Sequence, residues 1–495
     1  MAQDVTDTTQ QRTTGLLEST PTGLFIDGES CGAADGATFT VLNPATAEVL
    51  TTVADAGVAD GRRALGAAVA AQQSFAATSA LERHNILMRA HQLLRERSDD
   101  LALLMSLEMG KPVAEAAGEI AYAGEFFRHF AGEALRIDGG YQTAPQGSAR
   151  LLVTRQPVGP CLLITPWNFP MAMGTRKLGP ALAAGCTSVL KPAQQTPLSM
   201  LALAQILAEA GVPAGVVNIV PTTQAGAVME PLIRSGDARK LSFTGSTNVG
   251  KRLLEQCADK VLRTSMELGG NAPFVVFEDA DLDEAVTGCM QAKMRNMGEA
   301  CTAANRIYVH ASLIDDFGSR LAQRMGDLVV GDGTAEGTQV GPLIDEAALD
   351  KVDSLVTDAV GRGAQVLVGG ERSGGPGYFY PPTVLTGVSR DADAAREEIF
   401  GPVAALTPFE TEDEVVAAAN DTRYGLVSYV FTNDLRRALR VAERLESGMV
   451  GLNQGVVSNP YAPFGGVKES GLGREGGPTG IDEFLESKYI GIAMG

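Results

Sequence analysis

Hydrophobic and polar positions along the chain follow three rhythms in turn. Between residues 24 and 55, short apolar runs alternate with turn residues (LFIDGES, FTVLNPATAEVL), which predicts a few short strands. From about Val58 to Ala134 the apolar spacing lengthens to three and four. The stretch ALERHNILMRAHQLLRERSDDLALLMSLEMGKP reads as helix until Gly110 and Pro112 interrupt it. His84 and His91 lie seven apart on one helical face, which suits packing or solvent better than metal ligation.

The third rhythm follows a hairpin-like stretch at 141–157. Strands CLLIT (161–165), TSVLK (187–191), VVNIV (216–220) and KLSF (240–243) alternate with helices over MAMGTRKLGPALAAG, PLSMLALAQILAEAG, TQAGAVMEPLIRSG and NVGKRLLEQCAD. Repeated βαβ units imply a parallel sheet covered by helices, with ligands at the carboxyl ends of its strands. A second series starts at Ala272 (strand APFVVF, helix DLDEAVTGCMQAKMRN, strand NRIYVH, a helix from Ser312) and runs to about Val450, predicting a second α/β domain. EFLESKYIGIAMG reads as a final strand.

Composition narrows the picture. A chain of 495 residues is too long for one core, so two or three domains are expected. Its apolar content of 45% is that of an ordinary globular protein. A net charge of -19 argues against nucleic acid and anionic membrane surfaces, and means that an anionic substrate needs a local pocket of arginines. No apolar run approaches the ~20 residues of a membrane span. Six scattered cysteines without a CxxC pair suggest reduced thiols. Four histidines without HExxH spacing give no expected metal site. Residues 1–23, polar and acidic without a basic segment and apolar core, read as a flexible leader of a cytoplasmic protein.

Two glycine motifs resemble phosphate loops. GLGREG (471–476) fits GxGxxG but joins no strand to a helix, and is rejected. GSTNVGKR (245–252) falls one residue short of a Walker loop and has Arg252 where magnesium needs a hydroxyl, so ATP hydrolysis is not expected. Its setting between strand KLSF and a helix still suits a pyrophosphate, which backbone N–H groups and the positive helix end would hold. A plain N-capped helix is the alternative. The stretch RNMGEACTAANR (295–306) holds Cys301, which taken alone is either a small buried hydrophobe or a nucleophile.

The motifs WNFP (167–170), KPAQQTP (191–197), FTGST (243–247), MELGGNAP (266–273), ACTAANR, EEIFGPV (397–403) and PFGGVKESGLGRE (463–475) occur in that order. On these the chain, from about residue 24 onward, resembles the aldehyde dehydrogenase superfamily, and within it most closely the succinate-semialdehyde dehydrogenases. The resemblance implies an α/β fold: a Rossmann-type cofactor domain (24–140 and 158–265), an α/β catalytic domain (266–450) and a small oligomerisation sheet (141–157 and 480–495) of a homodimer or homotetramer.

The resemblance also implies roles. Cys301 is the nucleophile, attacking an aldehyde to give a thiohemiacetal and then a thioester that water hydrolyses. Asn168, with the Cys301 backbone N–H, donates to the oxyanion, and Glu267 is the general base. Cofactor contacts fall to Trp167, Lys191, Gln194, Gly245, Ser246, Leu268, Glu398 and Phe400. Lys191 and Glu398 would hold the riboses, Ser246 the pyrophosphate, and Phe400 would lie near the nicotinamide. Gln194 stands where NAD-preferring relatives often carry glutamate, so NADP is the expected cofactor and NAD the alternative. Arg176, Arg295 and Ser458 align with residues that hold a distal carboxylate, which makes oxidation of succinate semialdehyde to succinate the expected reaction. A glutarate-semialdehyde or broad aliphatic aldehyde dehydrogenase is the alternative within the class. A cofactor-independent cysteine hydrolase or acyltransferase, and a non-catalytic protein on the same fold, lie outside it. The chain departs from the semialdehyde branch at GEACTA, where that branch commonly has GQTCVC. The second cysteine is absent and Glu299 replaces a glutamine, which bears on acyl preference.

Overall fold

The computed structural model describes residues 2–494, with the side chains of residues 11–494. Its largest sheet has eight strands in the order Gly471–Leu472, Arg263–Glu267, Lys240–Thr244, Cys161–Ile164, Ser188–Lys191, Val217–Ile219, Leu24–Ile26, Glu29–Cys31. The five strands from Arg263–Glu267 to Val217–Ile219 are parallel, and Gly471–Leu472 and Leu24–Ile26 close the two sides antiparallel. Cys161–Ile164, a continuous apolar run, and Ser188–Lys191 are buried at every position, as strands covered on both faces must be.

The second sheet has seven strands in the order Gln365–Val368, Thr383–Thr386, Val403–Phe409, Ala304–His310, Ala272–Val276, Val427–Phe431, Met449–Leu452. A third, antiparallel sheet places Ala149–Pro157 between Leu485–Ala493 and Gly140–Thr143, with Leu485 opposite Pro157 and Ala493 opposite Ala149. The expected hairpin and final strand are thus partners in one small sheet.

The helical stretch from Val58 divides into Val58–Ala76, Ala80–Glu96, Ser98–Met109 and Val113–Ala134. Ser79 caps the second by accepting the Glu82 N–H at 3.1 Å. Gly110 ends the third in the left-handed region (φ +92°), where a Cβ would also meet Pro342 at 2.8 Å. His84 and His91 share hydrogen bonds with the carbonyls of Ala131 and Gly124, at 2.9 and 3.0 Å, and so pin one helix to another.

The leader is a correction. Residues 1–23 include an α-helix, Ala2–Ser19, where a flexible segment was expected. Leu16 and Leu17 pack on the core of the helical layer, and Arg12 donates to Asp100 at 2.8 Å. Among the described residues, no helix is long and apolar enough to cross a membrane.

The two large sheets aim their chemistry at each other. Glu267 and Thr244 end adjacent parallel strands of the first and Lys191 a third, beyond Cys161–Ile164, while Cys301 sits just ahead of strand Ala304–His310 of the second.

Candidate active site

A cavity of about 300 Å³ lies at those strand ends. Of the predicted residues it is lined by Trp167, Asn168, Gly245, Ser246, Glu267, Leu268, Cys301, Glu398 and Phe400. Lys191, Gln194, Arg176, Arg295 and Ser458 are not in its wall. Lys351, unremarkable in sequence, is.

Cys301 is half-buried at the end of a loop of unusual backbone: Asn296, Met297 and Gly298 have φ of +53°, +55° and +79°. Gly298 is required there, since a Cβ would meet the Gly401 carbonyl at 2.1 Å. Burial pushes the Cys301 thiol up to about 12; Glu398 and Glu267 add to this, and Arg176 and Arg295 oppose it. The resting group is therefore a thiol, and a base must take its proton. Beside it, the Asn168 side chain donates one N–H to the Glu299 carbonyl at 2.9 Å. The second N–H of that amide remains for an oxyanion. The Asn168 carbonyl is held from behind by Lys111 Nζ at 2.8 Å and Asn296 Nδ2 at 3.1 Å.

Glu267 is buried, and its Oε2 has no hydrogen-bond partner. Burial, then the nearby Glu475, holds its carboxyl well above the usual range, against Arg176, Lys177 and Arg474. Glu475 itself is held low, because Lys177 Nζ donates to it at 2.6 Å and Arg176 Nε lies 3.8 Å away. One acid of the pair is stabilised as the anion and the other is left able to gain and lose a proton. Sequence reasoning missed Lys177 and Glu475, although both lie inside quoted stretches (MAMGTRK and PFGGVKESGLGRE).

The other end of the cavity suits a nucleotide. Trp167 and Phe400 meet edge to face at 5.4 Å, and Phe400 is held at φ +57°. Thr244 Oγ1, in the cavity wall, is buried without a partner, and Ser246 is exposed as the N-cap of helix Thr247–Ala258 with its side chain uncommitted. Glu398 accepts the Gly270 N–H at 3.0 Å, and burial raises it to about 7. Outside the wall, at the end of strand Ser188–Lys191, the Lys191 ammonium is buried and brought down to about 8 by burial; Gln194, three residues on, is exposed. Free hydroxyls at a helix start, a carboxyl and an unmatched ammonium are the donor set that a ribose–pyrophosphate chain needs. Among the described residues, no group of three or more His, Cys, Asp or Glu side chains could hold a metal ion.

Arg176 and Arg295 come together. Arg176 is buried, lies 4.1 Å over the Phe464 ring and 5.8 Å over Tyr122, and donates to the Tyr122 hydroxyl at 2.5 Å. Arg295, at the C-terminal end of helix Leu282–Met294, lies 5.7 Å over the same Tyr122 ring and 4.9 Å over Phe169. Ser458 is half-buried in the loop beyond Met449–Leu452, and its hydroxyl makes no hydrogen bond among the described residues. Nothing ties it to the two arginines.

Residues 32–490 match the aldehyde dehydrogenase family. A succinate-semialdehyde dehydrogenase of Paenarthrobacter nicotinovorans is 57% identical over 90% of this chain and 99% of its own length. A glutarate-semialdehyde dehydrogenase of Pseudomonas putida is 52% identical over 95% of this chain and 97% of its own. Among solved structures, an NADP-dependent enzyme of E. coli superposes with a TM-score of 0.95 at 49% identity, covering 97% of this chain and 99% of that one. With the ordered motifs, the paired sheets and the cavity between them, these likenesses establish that the chain belongs to the aldehyde dehydrogenase family.

Proposed function

We propose that the protein oxidises succinate semialdehyde to succinate with NADP, or less efficiently NAD. The observation that carries the substrate is the convergence of Arg176 and Arg295 on Tyr122, within electrostatic reach of the Cys301 sulfur. Two guanidiniums there offset a chain of net charge -19 and pair bidentately with a carboxylate. The cofactor reading is supported by Lys191 and the neutral Gln194, and by the NADP-dependent E. coli structure.

In this reading Glu267, buried with a free oxygen, takes the Cys301 proton. The thiolate attacks the aldehyde carbon, and the new oxyanion receives the free Asn168 N–H and the Cys301 backbone N–H. A bound nicotinamide cofactor supplies the two-electron acceptor that turns the thiohemiacetal into a thioester. Glu267, once it has passed the thiol proton on to solvent, takes a proton from the attacking water, and the thioester breaks to release the acid and the thiolate. Arg176, Lys177 and Arg474, acting against burial and Glu475, keep Glu267 from being trapped as a permanently neutral acid.

The same reading places the cofactor on residues 24–140 and 158–265, catalysis on 266–450 and assembly on 141–157 and 480–495. Exposed Tyr141, Tyr489, Ile490 and Ile492 on the three-stranded sheet support the last, as sites where a homodimer or homotetramer would bury apolar surface. The six free cysteines suit a reducing, cytoplasmic setting. The likeness to the P. putida enzyme favours one second reading, glutarate semialdehyde.

Steady-state kcat/KM for succinate semialdehyde, glutarate semialdehyde and butanal, each with NADP and NAD, tests the proposal. Succinate semialdehyde with NADP should lead. A higher value for the five-carbon substrate selects the second reading, and equal values for butanal overturn the carboxylate-specific one.

A further inference from the structure

Glu299 stands two residues before Cys301 and is fully buried. Its main chain and side chain hold different parts of the site. The carbonyl accepts Asn168 Nδ2 at 2.9 Å and Asn296 Nδ2 at 3.0 Å. The side-chain Oε1 accepts the Ile344 N–H at 3.2 Å, one residue before Asp345 caps helix Glu346–Gly361. That helix supplies Ala347, Ala348 and Lys351 to the cavity wall. The other oxygen, Oε2, is buried and has no partner.

A carboxylate so placed would carry a charge with a single hydrogen bond in a water-excluded setting, which is far costlier than a neutral acid. The surrounding charges do not rescue it. Lys111 is the nearby cation, but its ammonium is committed to Glu119 at 2.5 Å and to the Asn168 carbonyl. Asp345 faces the group with like charge. On the same loop, the Asn296 N–H goes to Glu115 at 2.9 Å, and Arg295 stacks on Phe169 and Tyr122. Burial first, then Asp345, holds the Glu299 carboxyl well above the usual range, against the Ile344 N–H and Lys111.

We propose that Glu299 is a positioning residue whose neutral carboxylic acid braces the 296–301 loop against the Ile344 turn and thereby holds Asn168 in place to donate to the substrate oxyanion. Ionisation would put an uncompensated charge at the junction of Asn168, Asn296 and Glu299 and loosen it. Turnover then falls in the alkaline range for a reason separate from the nucleophile. The inference rests on the roles given above to Cys301 and Asn168.

The test is the pH profile of kcat for the full-length wild type, E299Q and E299A, with thermal denaturation over the same range. Wild-type turnover should rise as the thiol is activated and then fall. Glutamine is neutral at every pH, so E299Q should keep its turnover near neutrality and lose the falling limb. E299A, without the brace, should lose up to about 100-fold in kcat throughout. Stability gives an independent readout. The folded protein keeps a proton on Glu299 that the unfolded chain has lost, so wild-type stability falls with rising pH relative to E299Q until the folded group ionises. The Tm gap between E299Q and wild type should widen accordingly. An unshifted falling limb in E299Q, or a gap flat with pH, overturns the proposal. Should E299A fail to fold, those two measurements decide the matter. Activity surviving in C301A would refute the nucleophile, while the Tm gap still judges the protonation state of Glu299 alone.

Discussion

Arg176 and Arg295 lie over one aromatic ring, at 5.8 and 5.7 Å from the centre of Tyr122, though they come from helices beneath different sheets. Their positions differ in one respect. Arg176 also faces Glu475, 3.8 Å away, and weighs on Glu267, whereas Arg295 is bound to no carboxylate among the described residues. Arg295→Met should lower kcat/KM for succinate semialdehyde by roughly 30- to several-thousand-fold, the cost of truncating one partner of a buried charge pair (~2–5 kcal/mol), and spare butanal. Arg176→Met should show the same loss plus a smaller one on butanal. Parallel losses of equal size on both substrates for Arg295→Met would remove the clamp.

Cys301→Ala should lower turnover by several orders of magnitude while cofactor binding, followed by fluorescence titration, persists. The nucleotide end of the cavity is built by other residues. Measurable steady oxidation by this variant would show the nucleophile to be misassigned.

Glu267→Gln removes the proton acceptor but keeps the shape, and should cost about 10²–10⁴-fold in kcat. Rapid mixing would show whether reduced cofactor appears in a burst before the slow phase. A burst places the loss in thioester hydrolysis; no burst with a slow first turnover places it in thiol activation.

Lys191 is charged below about 8 and neutral above, since burial has brought its ammonium down. If that ammonium holds the 2′-phosphate, the NADP-to-NAD ratio of kcat/KM should fall as pH rises through this value. The ratio cancels titration of Cys301 and Glu267, which both cofactors share. A ratio independent of pH would take Lys191 away from the phosphate.

Gln194→Glu should shift the same ratio towards NAD by about tenfold or more, because a carboxylate would face the phosphate as a like charge. No shift would mean that the exposed Gln194 side chain points away from the ribose.

Motif spacing made the reacting groups legible. Cys301, Glu267 and Asn168 lie in local sequence signatures, and all three line the cavity. The groups that tune them are legible only in three dimensions. Lys177 and Glu475 are separated by 298 residues and look like ordinary surface charges until the fold buries them against each other. Lys111 and Glu119 escaped for the same reason: a lysine after glycine and a glutamate on an amphipathic helix carry no mark of being a buried pair behind Asn168. The leader misled by its polar composition. Its packing depends on Leu16 and Leu17 and on an arginine reaching Asp100, which periodicity over a short polar stretch does not reveal.

The strand Gly471–Leu472 pairs with Met266 and Glu267, and Ser470 bonds the Gly269 carbonyl 201 residues earlier. On the ribosome this means that the strand bearing the base remains an open sheet edge for about 10–40 s at ordinary elongation rates of about 5–20 residues per second. Over the same interval Lys177 has no Glu475 to face. A nascent chain that has already made every other reacting group is therefore still sticky along that edge and cannot set its base. Release before Gly471 is made would yield an aggregation-prone product with Cys301 intact and no way to turn it over.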